Sequence, residues 1–268
     1  MNKPISVLRQ PYERPSLVRH QMGLMNKFSR VQTMAPQTEI DGVSVESLVE
    51  KYGSPLFVFS EKTLVARYRE LEQAFSLRHP KVRIAWSYKT NYIDAICKIF
   101  HREGAWAEVV SEFELDKALH NGVPGDQIHF NGPYKPKPAL RKALRLGTIV
   151  HIDHFDELAL CEEVAEELGV RPKVALRINF RTEAAPHWGR FGFNLESGQA
   201  KDAIARLVSG DKLQLAGLHA HIGTFILEPR AYGDSARKLV GLANEIKARY
   251  GIILEFLDFG GGFASHNT

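Results

Sequence analysis

Three groups of residues in this chain are of types that could do chemistry. Lys89 follows an apolar run, and a primary amine in that place could attack a carbonyl carbon. His219 and His221 stand two positions apart, which suits either a pair of metal ligands or two core histidines. The glycine run at 260–262 could bring backbone close to an anion, or could simply make a tight connection. None of these features assigns a function by itself.

The segments around these residues alternate between strand and helix signals. Short apolar runs that end in Gly, Asn or Ser alternate with stretches of helical period, which favours βαβ units and a parallel sheet. We predict strands at 55–59, 82–88, 105–110, 127–131, 149–153, 174–179, 215–222 and 254–259. Seven of them follow residue 82, so an open doubly wound sheet and a barrel one strand short of eight both remain possible at this point.

The helical stretches have recognisable limits. The helix predicted at 61–76 has one apolar face, made by Leu64, Tyr68, Leu71 and Phe75. Helices predicted at 155–168 and 231–250 are each followed by a glycine, Gly169 and Gly251, which is a typical stop signal. Each helix therefore has a predicted end as well as a predicted face.

Period-two alternation assigns the polar side chains to one face of the strands. Lys89 shares a face with small residues, opposite Trp86 and Tyr88. Arg177 and Asn179 share a face of their own strand. Because α/β folds place their sites at the carboxyl ends of parallel strands, we expect these polar groups to collect at that end of the sheet.

Composition excludes several classes of protein. Apolar residues make up 44% of the 268, aromatic residues 10% and charged residues 25%, which is typical of a globular chain. The two cysteines are too few for a disulfide framework. A net charge of +4 is too small to suggest a nucleic acid partner. No apolar run approaches the roughly twenty residues of a membrane helix, so we expect no membrane partner and a cytoplasmic location.

The positive charge is concentrated at the start of the chain. Residues 1–36 hold six Lys or Arg residues, four prolines and a single acidic residue. This segment shows no steady periodicity, which is typical of a solvated tail. We therefore predict a basic, disordered tail at 1–38 and a folded domain at 39–268.

The order of the motifs resembles the fold-type-III pyridoxal-phosphate decarboxylases, the group of diaminopimelate, ornithine and arginine decarboxylases related to alanine racemase. The resemblance runs from about residue 40 onward. Ser87–Asn91 is similar to the family's lysine strand, and Glu108–Ser111 followed by Glu114 is similar to its Asp-Val-Val-Ser-x-x-Glu segment. Further similar stretches lie at 128–135, 152–158, 176–179, 187–192, 219–224 and 257–263. Glu108 replaces the usual Asp, Thr224 the usual Ser and Arg190 the usual Lys.

The resemblance implies a fold and a set of roles. The fold is an α/β, pyridoxal-phosphate-binding (β/α)8 barrel of the alanine-racemase type, here truncated after the seventh strand and without the family's C-terminal β domain. Lys89 would hold pyridoxal 5'-phosphate covalently and later return a proton, and His221 would stack on the pyridine ring. These two are the predicted catalytic residues. The predicted cofactor-binding residues are Lys89, Glu108, Arg177, His219, His221, Thr224, Gly260, Gly261 and Gly262. No metal ligand is implied.

The implied function is pyridoxal-phosphate-dependent decarboxylation of a basic or dibasic amino acid, with the diaminopimelate type of lysine biosynthesis foremost. The family forms homodimers and places a Glu-Pro-Gly-Arg motif beyond the triple glycine. That motif is not in this sequence. We therefore expect the isolated chain to be inactive or nearly so, and we expect either a fragment, a broken gene product or one half of a split enzyme with a complementing C-terminal chain.

Two further hypotheses stay open. One is a non-catalytic pyridoxal-phosphate-binding or regulatory paralogue that binds a full-length decarboxylase. The other is a metal-dependent barrel hydrolase with His219 and His221 as ligands, for which Asp153 and Asp258 are the additional candidates.

Overall fold

The structure is a computed structural model that describes residues 36–264. Nearly all of the predicted basic tail at 1–38 therefore lies outside the described residues, as do residues 265–268.

The described elements alternate between strand and helix along most of the chain. Their order is β1 (Glu39–Ile40), β2 (Val43–Ser44), α1 (Val45–Tyr52), α2 (Glu61–Ser76), β3 (Ala85–Ser87), α3 (Asp94–Arg102), β4 (Trp106–Val109), α4 (Glu112–His120), a 3-10 turn (Gly125–Gln127), β5 (Ile128–Phe130), α5 (Lys137–Arg145), β6 (Ile149–Ile152), α6 (Phe155–Leu168), β7 (Lys173–Asn179), β8 (Phe193–Asn194), α7 (Gln199–Gly210), β9 (Gln214–His219), α8 (Pro229–Tyr250) and β10 (Phe256–Asp258).

Seven parallel strands form one sheet in the order β10-β9-β7-β6-β5-β4-β3, and the short β8 pairs with β7. Each strand therefore lies beside the next long strand along the chain, as the βαβ pattern predicts. The seven strands predicted from residue 82 onward are confirmed, although most are shorter than the apolar runs that predicted them. β3 and β10 occupy the two edges, and β1 and β2 form a separate antiparallel pair.

The sheet is curled into a half-barrel, as contacts between distant strands show. The rings of His129 on β5 and Phe256 on β10 lie 5.1 Å apart between centroids, although three strands separate β5 from β10 in the sheet. A hydrogen bond of 2.9 Å joins Asn131, after β5, to His219 on β9. In a flat sheet these side chains would be too far apart to touch, because neighbouring strands are about 4.8 Å apart.

The convex side of the sheet carries the main hydrophobic core. Fully buried strand residues pack with fully buried helix residues in one continuous cluster. The strand members include Ile128, Phe130, Val150, Ile152 and Leu176, and the helix members include Leu115, Leu140 and Leu158. Removal of these side chains from water is the principal favourable term that holds helices on the sheet.

Local sequence signals set the helix ends. α2 begins after Ser60, whose hydroxyl accepts a 3.0 Å hydrogen bond from the Thr63 amide. α6 ends at Gly169 (φ 64°) and α8 at Gly251 (φ 70°), both left-handed, so both predicted stop signals are confirmed. Over residues 36–264 no helix has the length and apolarity needed to cross a membrane.

Two predictions about the first part of the domain are wrong or only partly met. Residues 55–59 form no strand, because this apolar segment finds no strand to pair with among the described residues, and Phe57 is 92% exposed. Helix α2 has the predicted limits, but only Tyr68 of its apolar face is buried. Leu71 and Phe75 remain 37% and 44% exposed because the sheet edge at β3 gives the helix little surface to cover.

Candidate functional site

The concave side of the half-barrel is lined by polar side chains that the strand register places level with one another. Ser87 on β3 pairs with Glu108 on β4, and Arg177, His219 and Asp258 are paired side by side on β7, β9 and β10. The alternation predicted for the Arg177 strand is confirmed, because Leu176 and Ile178 on either side of Arg177 belong to the apolar core. The polar residues predicted to meet at the carboxyl ends do face a common space.

Lys89 lies in the turn that follows β3, one residue beyond the end of the strand that the sequence predicted. Its side chain is exposed and makes no hydrogen bond or ion pair with residues 36–264. The turn is anchored by its neighbour Tyr88, which is fully buried and whose hydroxyl lies 2.9 Å from Nε2 of His101. The backbone before Lys89 is thus fixed while its ammonium group is free.

His221 follows β9 and lies close enough to Lys89 for the lysine charge to affect its pKa. Burial, followed by the charges of Lys89, His219 and Arg177, lowers the pKa of His221 to about 4. The amide of Gly261 lies 3.4 Å from Nδ1 and donates to it, which places the single ring proton of the neutral form on Nε2. The rings of Trp188 and His221 lie nearly perpendicular, with 6.1 Å between their centroids. At pH 7 this is a neutral imidazole in a fixed orientation.

Glu108 lines the half-barrel, as predicted for a residue near the cofactor ring. One carboxylate oxygen accepts a hydrogen bond from the hydroxyl of Ser87. The other oxygen, Oε1, is buried and has no hydrogen-bond partner among the described residues. A buried carboxylate oxygen without a partner costs about 1–3 kcal/mol or more, so it marks a place where a donor is missing.

Arg177 forms a second polar group at the same level. Its Nη1 lies 3.4 Å from Oδ1 of Asn131 and 3.6 Å from Oδ1 of Asp153. The guanidinium stands 4.8 Å from the ring centroid of Phe191. Burial lowers the pKa of Arg177, and Asp153 opposes that effect. Arg177 is therefore held in place by one amide, one carboxylate and one aromatic ring.

His219 supports the floor of the site, because it is buried and held by an ion pair at one nitrogen and a hydrogen bond at the other. Nδ1 lies 2.9 Å from Oδ2 of Asp258, and Nε2 lies 2.9 Å from the side-chain amide of Asn131. Burial acts to raise the pKa of Asp258, but the charge of His219 and its hydrogen bond more than offset this and hold that pKa below its ordinary value. Asp258 is thus a carboxylate at neutral pH.

The glycine run folds tightly against the segment after β9. A Cβ on Gly262 would stand 2.0 Å from the carbonyl oxygen of Gly223, and φ there is 88°, so only glycine fits. The Ile226 amide donates to the Gly262 carbonyl at 2.8 Å. Thr224, in the same segment, is exposed. The Gly260 amide donates to Oδ1 of Asp258 at 2.8 Å and the Gly261 amide to Nδ1 of His221 at 3.4 Å, and the phosphate contacts predicted for this run stay predictions.

The sequence reasoning missed three inward-facing residues. Asn131, His129 and His151 were not among the predicted site residues, yet all three are buried on the concave side. The missed signal is the alternation itself, because β5 and β6 each place a histidine between two apolar residues. The metal set predicted from His219 and His221 is not the one brought together: among residues 36–264 the donor group within 4.8 Å is His129, His151 and Asp258.

These features fit a cofactor that reacts with an amine, stacks on an uncharged aromatic ring and donates a hydrogen bond to a carboxylate. Lys89 supplies the free amine, His221 the neutral ring and Glu108 the unpartnered oxygen. A Cβ on Gly260 or Gly262 would clash with neighbouring backbone, whereas Gly261 has open space beside it, so the run presents partly exposed backbone without side chains. Such a set suits pyridoxal phosphate, which carries an aldehyde, an aromatic ring and a phosphate.

Comparison with known proteins also indicates a pyridoxal-phosphate-binding domain. A family model described as "Pyridoxal-dependent decarboxylase, pyridoxal binding domain" matches residues 61–268. The diaminopimelate decarboxylase of Bacillus subtilis is 35% identical over 240 residues, which cover 86% of this chain and 54% of the relative. That of Methanocaldococcus jannaschii is 32% identical and is covered to 54%. The chain thus spans about half the length of the curated relatives that it matches.

The solved structures agree in fold. A crystal structure of diaminopimelate decarboxylase from M. jannaschii superposes with a TM-score of 0.78 at 32% identity, covering 86% of this chain and 56% of that one. A lysine/ornithine decarboxylase from Vibrio vulnificus, complexed with putrescine, has a TM-score of 0.70 at 23% identity, which shows a shared fold. The predicted barrel class is confirmed.

Proposed function

Because this chain belongs to the family of pyridoxal-dependent decarboxylases, whose pyridoxal binding domain it carries, we propose that it holds pyridoxal 5'-phosphate on Lys89 and serves the decarboxylation of a dibasic amino acid. Diaminopimelate is the proposed substrate, because the relatives that are 30% identical or more carry that name. Decarboxylation by the whole protein is part of the proposal, since the chain spans about half of those relatives.

The observation that carries the proposal is the position of Lys89. Its ammonium group has no hydrogen-bond or ion-pair partner in the described part of the chain, yet it is close enough to His221 and Glu114 to shift the pKa of both. Glu114 lies on α4 and His221 follows β9, so Lys89 stands near residues from two separate parts of the chain. A free amine over the carboxyl ends of the strands is what a cofactor aldehyde requires.

When bound, pyridoxal phosphate accepts the electron pair that is released as a carboxylate leaves as carbon dioxide. The proposed role of Lys89 is to hold the aldehyde carbon and later to return a proton. His221, neutral and oriented by Gly261, offers a flat surface to an aromatic ring without adding charge. Glu108 offers its unpartnered Oε1 as an acceptor.

The remaining predicted residues are proposed to hold the ends of the cofactor and the floor beneath it. The exposed hydroxyl of Thr224 and the backbone of Gly261 and Gly262 are the proposed phosphate contacts, because the glycine run admits close approach. Arg177 and His219 are each bonded to Asn131 and are proposed to position the floor and leave the contact with the ring to His221.

The proposal is tested by titrating the purified chain with pyridoxal phosphate. We expect visible absorbance from lysine-bound cofactor, and borohydride reduction followed by peptide mapping should place the label on Lys89. Lys89→Ala should lose that label. Lys62→Ala is the matched control, because Lys62 is an exposed lysine on α2 and its loss should leave labelling unchanged.

The substrate is tested separately. Release of carbon dioxide from meso-diaminopimelate, compared with lysine, ornithine and arginine, measures the proposed activity of the loaded chain, alone and mixed with a full-length decarboxylase of the family. A labelled chain that releases nothing in either setting would favour the non-catalytic pyridoxal-phosphate-binding paralogue. A folded chain without the label at Lys89 would contradict the proposal itself. The homodimer, the complementing chain and the cytoplasmic location stay predictions.

A further inference from the structure

A second group of ligand-type side chains lies deeper on the concave side than Lys89. It consists of His129 on β5, His151 on β6 and Asp258 on β10, and one donor atom of each lies within 4.8 Å of the others. Nδ1 of His129 is 2.7 Å from Nε2 of His151, and Nδ1 of His151 is 3.9 Å from Oδ2 of Asp258. The function proposed above uses neither His129 nor His151.

The contacts within this group leave it incompletely satisfied. The bond between His129 and His151 uses one nitrogen of each ring. The other nitrogen of His151, Nδ1, is buried and has no hydrogen-bond partner among residues 36–264. It is directed towards Asp258, at a distance too long for a hydrogen bond. An imidazole that is fully buried needs a partner at both nitrogens, so something is missing between His151 and Asp258.

Asp258 is oriented as metal-ligating carboxylates usually are, by hydrogen bonds from neighbours. Its Oδ1 accepts from the Gly260 amide at 2.8 Å, and its Oδ2 lies 2.9 Å from Nδ1 of His219. Outer partners of this kind fix the direction of a ligand and are typical of metal centres. The Asp258 side chain is 28% exposed, so an ion can reach the group from solvent.

We propose that His129, His151 and Asp258 form a site for a divalent transition metal ion, with zinc as the ion to test first. Two imidazoles and one carboxylate match the ligands of zinc, whereas magnesium and calcium prefer sets made of oxygen alone. Bonds of about 2.0–2.1 Å in a tetrahedral arrangement place ligand atoms roughly 3.3 Å apart. A single ion takes one nitrogen of His151, and the donor atoms of the three residues lie within 4.8 Å of one another. Side-chain rotations that draw them together by about 1.5 Å or less complete the set.

The experiment uses the full chain, untagged, treated with chelator and free of pyridoxal phosphate. Equilibrium dialysis against zinc chloride followed by elemental analysis measures stoichiometry and affinity, and cobalt(II) in place of zinc gives a visible absorption that reports nitrogen and oxygen ligands. We expect one zinc ion per chain. His151→Gln and Asp258→Asn should each weaken zinc binding by more than about tenfold, since even the outer partners of metal ligands are worth ten- to a hundredfold.

His101→Gln is the matched control, because His101 is another partly buried histidine, bonded to Tyr88 and to the Ala105 carbonyl, and lies outside the group. It should bind zinc as the unchanged chain does. Circular dichroism establishes that each variant is folded. If a variant unfolds, the cobalt(II) spectrum of the unchanged chain still decides.

Zinc retained no better than by a His129→Gln, His151→Gln double variant would overturn the proposal, and so would a cobalt(II) spectrum identical to that of the free ion. The result is independent of the cofactor. Zinc binding without a label at Lys89 would contradict the proposed function alone, and a label without zinc binding would contradict the metal site alone.

Discussion

On strand β5, Ile128 and Phe130 face the helices while His129, between them, faces the concave space; all three are buried. The same holds on β7, where Leu176 belongs to the apolar cluster and Arg177 to the polar one. One sheet therefore has two buried sides of opposite chemistry. The convex side is stabilised by loss of apolar surface to water, and the concave side by hydrogen bonds and ion pairs that must each be completed.

The two sides differ in what each needs to be complete. The convex cluster needs only volume and shape, so every member is satisfied once it is packed. The concave side contains Glu108 Oε1 and His151 Nδ1, both buried and without hydrogen-bond partners among the described residues. Unpartnered polar atoms lower stability, and on the concave side they stand where a bound group would complete them, which is typical of a binding surface.

The largest expected effect on stability comes from truncating a buried side chain in the hydrophobic core on the convex side. Phe130→Ala should lower the free energy of unfolding by about 3–5 kcal/mol, because a fully buried ring is lost and a cavity remains. Urea denaturation followed by circular dichroism measures it. The control is Phe57→Ala, whose ring is 92% exposed and whose loss should change the free energy of unfolding by less than about 0.5 kcal/mol. Equal effects would refute the assignment of the convex side as the main core.

A buried ion pair at the rim of the concave side should be nearly as sensitive. Nζ of Lys135 lies 2.9 Å from both carboxylate oxygens of Glu157, and neither side chain is exposed by more than 2%. Lys135→Met leaves a buried carboxylate unpaired and should cost about 3 kcal/mol. Lys137→Met breaks two ion pairs that are partly exposed and screened by water, so it should cost much less than Lys135→Met. Chemical denaturation of both variants compares them, and a similar loss in each would show that burial does not set the difference.

A smaller effect tests how the concave side is filled. Gly217 leaves room for the Phe256 ring, which a Cβ would approach to 2.4 Å. Gly217→Ala should therefore destabilise the chain by about 1–3 kcal/mol through overpacking. Gly241→Ala, in the interior of α8 with open space around it, should stabilise by about 0.5–1 kcal/mol. Thermal unfolding gives both signs in one experiment, and a stable Gly217→Ala variant would contradict the described packing.

The smallest expected effect is the pH dependence of stability that His221 causes. The pKa of His221 is about 4 in the folded chain, because burial and the charges of Lys89, His219 and Arg177 outweigh that of Asp258; in the unfolded chain it is about 6.5. The folded state thus binds fewer protons between these values. The stability that this group contributes is fully present above about pH 6.5 and is lost as pH falls towards 4.

Urea unfolding at pH 7.5, 6 and 4.5, in the presence of a chelator, measures this dependence. We expect a smaller loss of stability on acidification in His221→Phe than in the unchanged chain. His79→Gln, at an exposed position, should keep the original dependence. If His221→Phe loses as much stability as the unchanged chain, the titrating group lies elsewhere.

Prediction from sequence succeeded where the signal is local. Alternation in β7 correctly separated the inward Arg177 from the apolar residues beside it, and the glycines at 169 and 251 correctly ended two helices. These patterns depend on residues within one turn or one strand. The prediction failed at 55–59, where the apolar run is equally strong, because a strand exists only if another strand pairs with it.

The sequence by itself therefore determined the seven parallel strands from residue 82 onward, the faces of the Arg177 strand and the presence of Lys89, His221 and the glycine run in the pattern of the decarboxylase family. Only the tertiary structure decided which inward side chains meet. His129, His151 and Asp258 come from three strands spread over some 130 residues, and their donor atoms approach because the sheet curls. Curl and register arise from the packing of all strands and helices together, and no single segment encodes them.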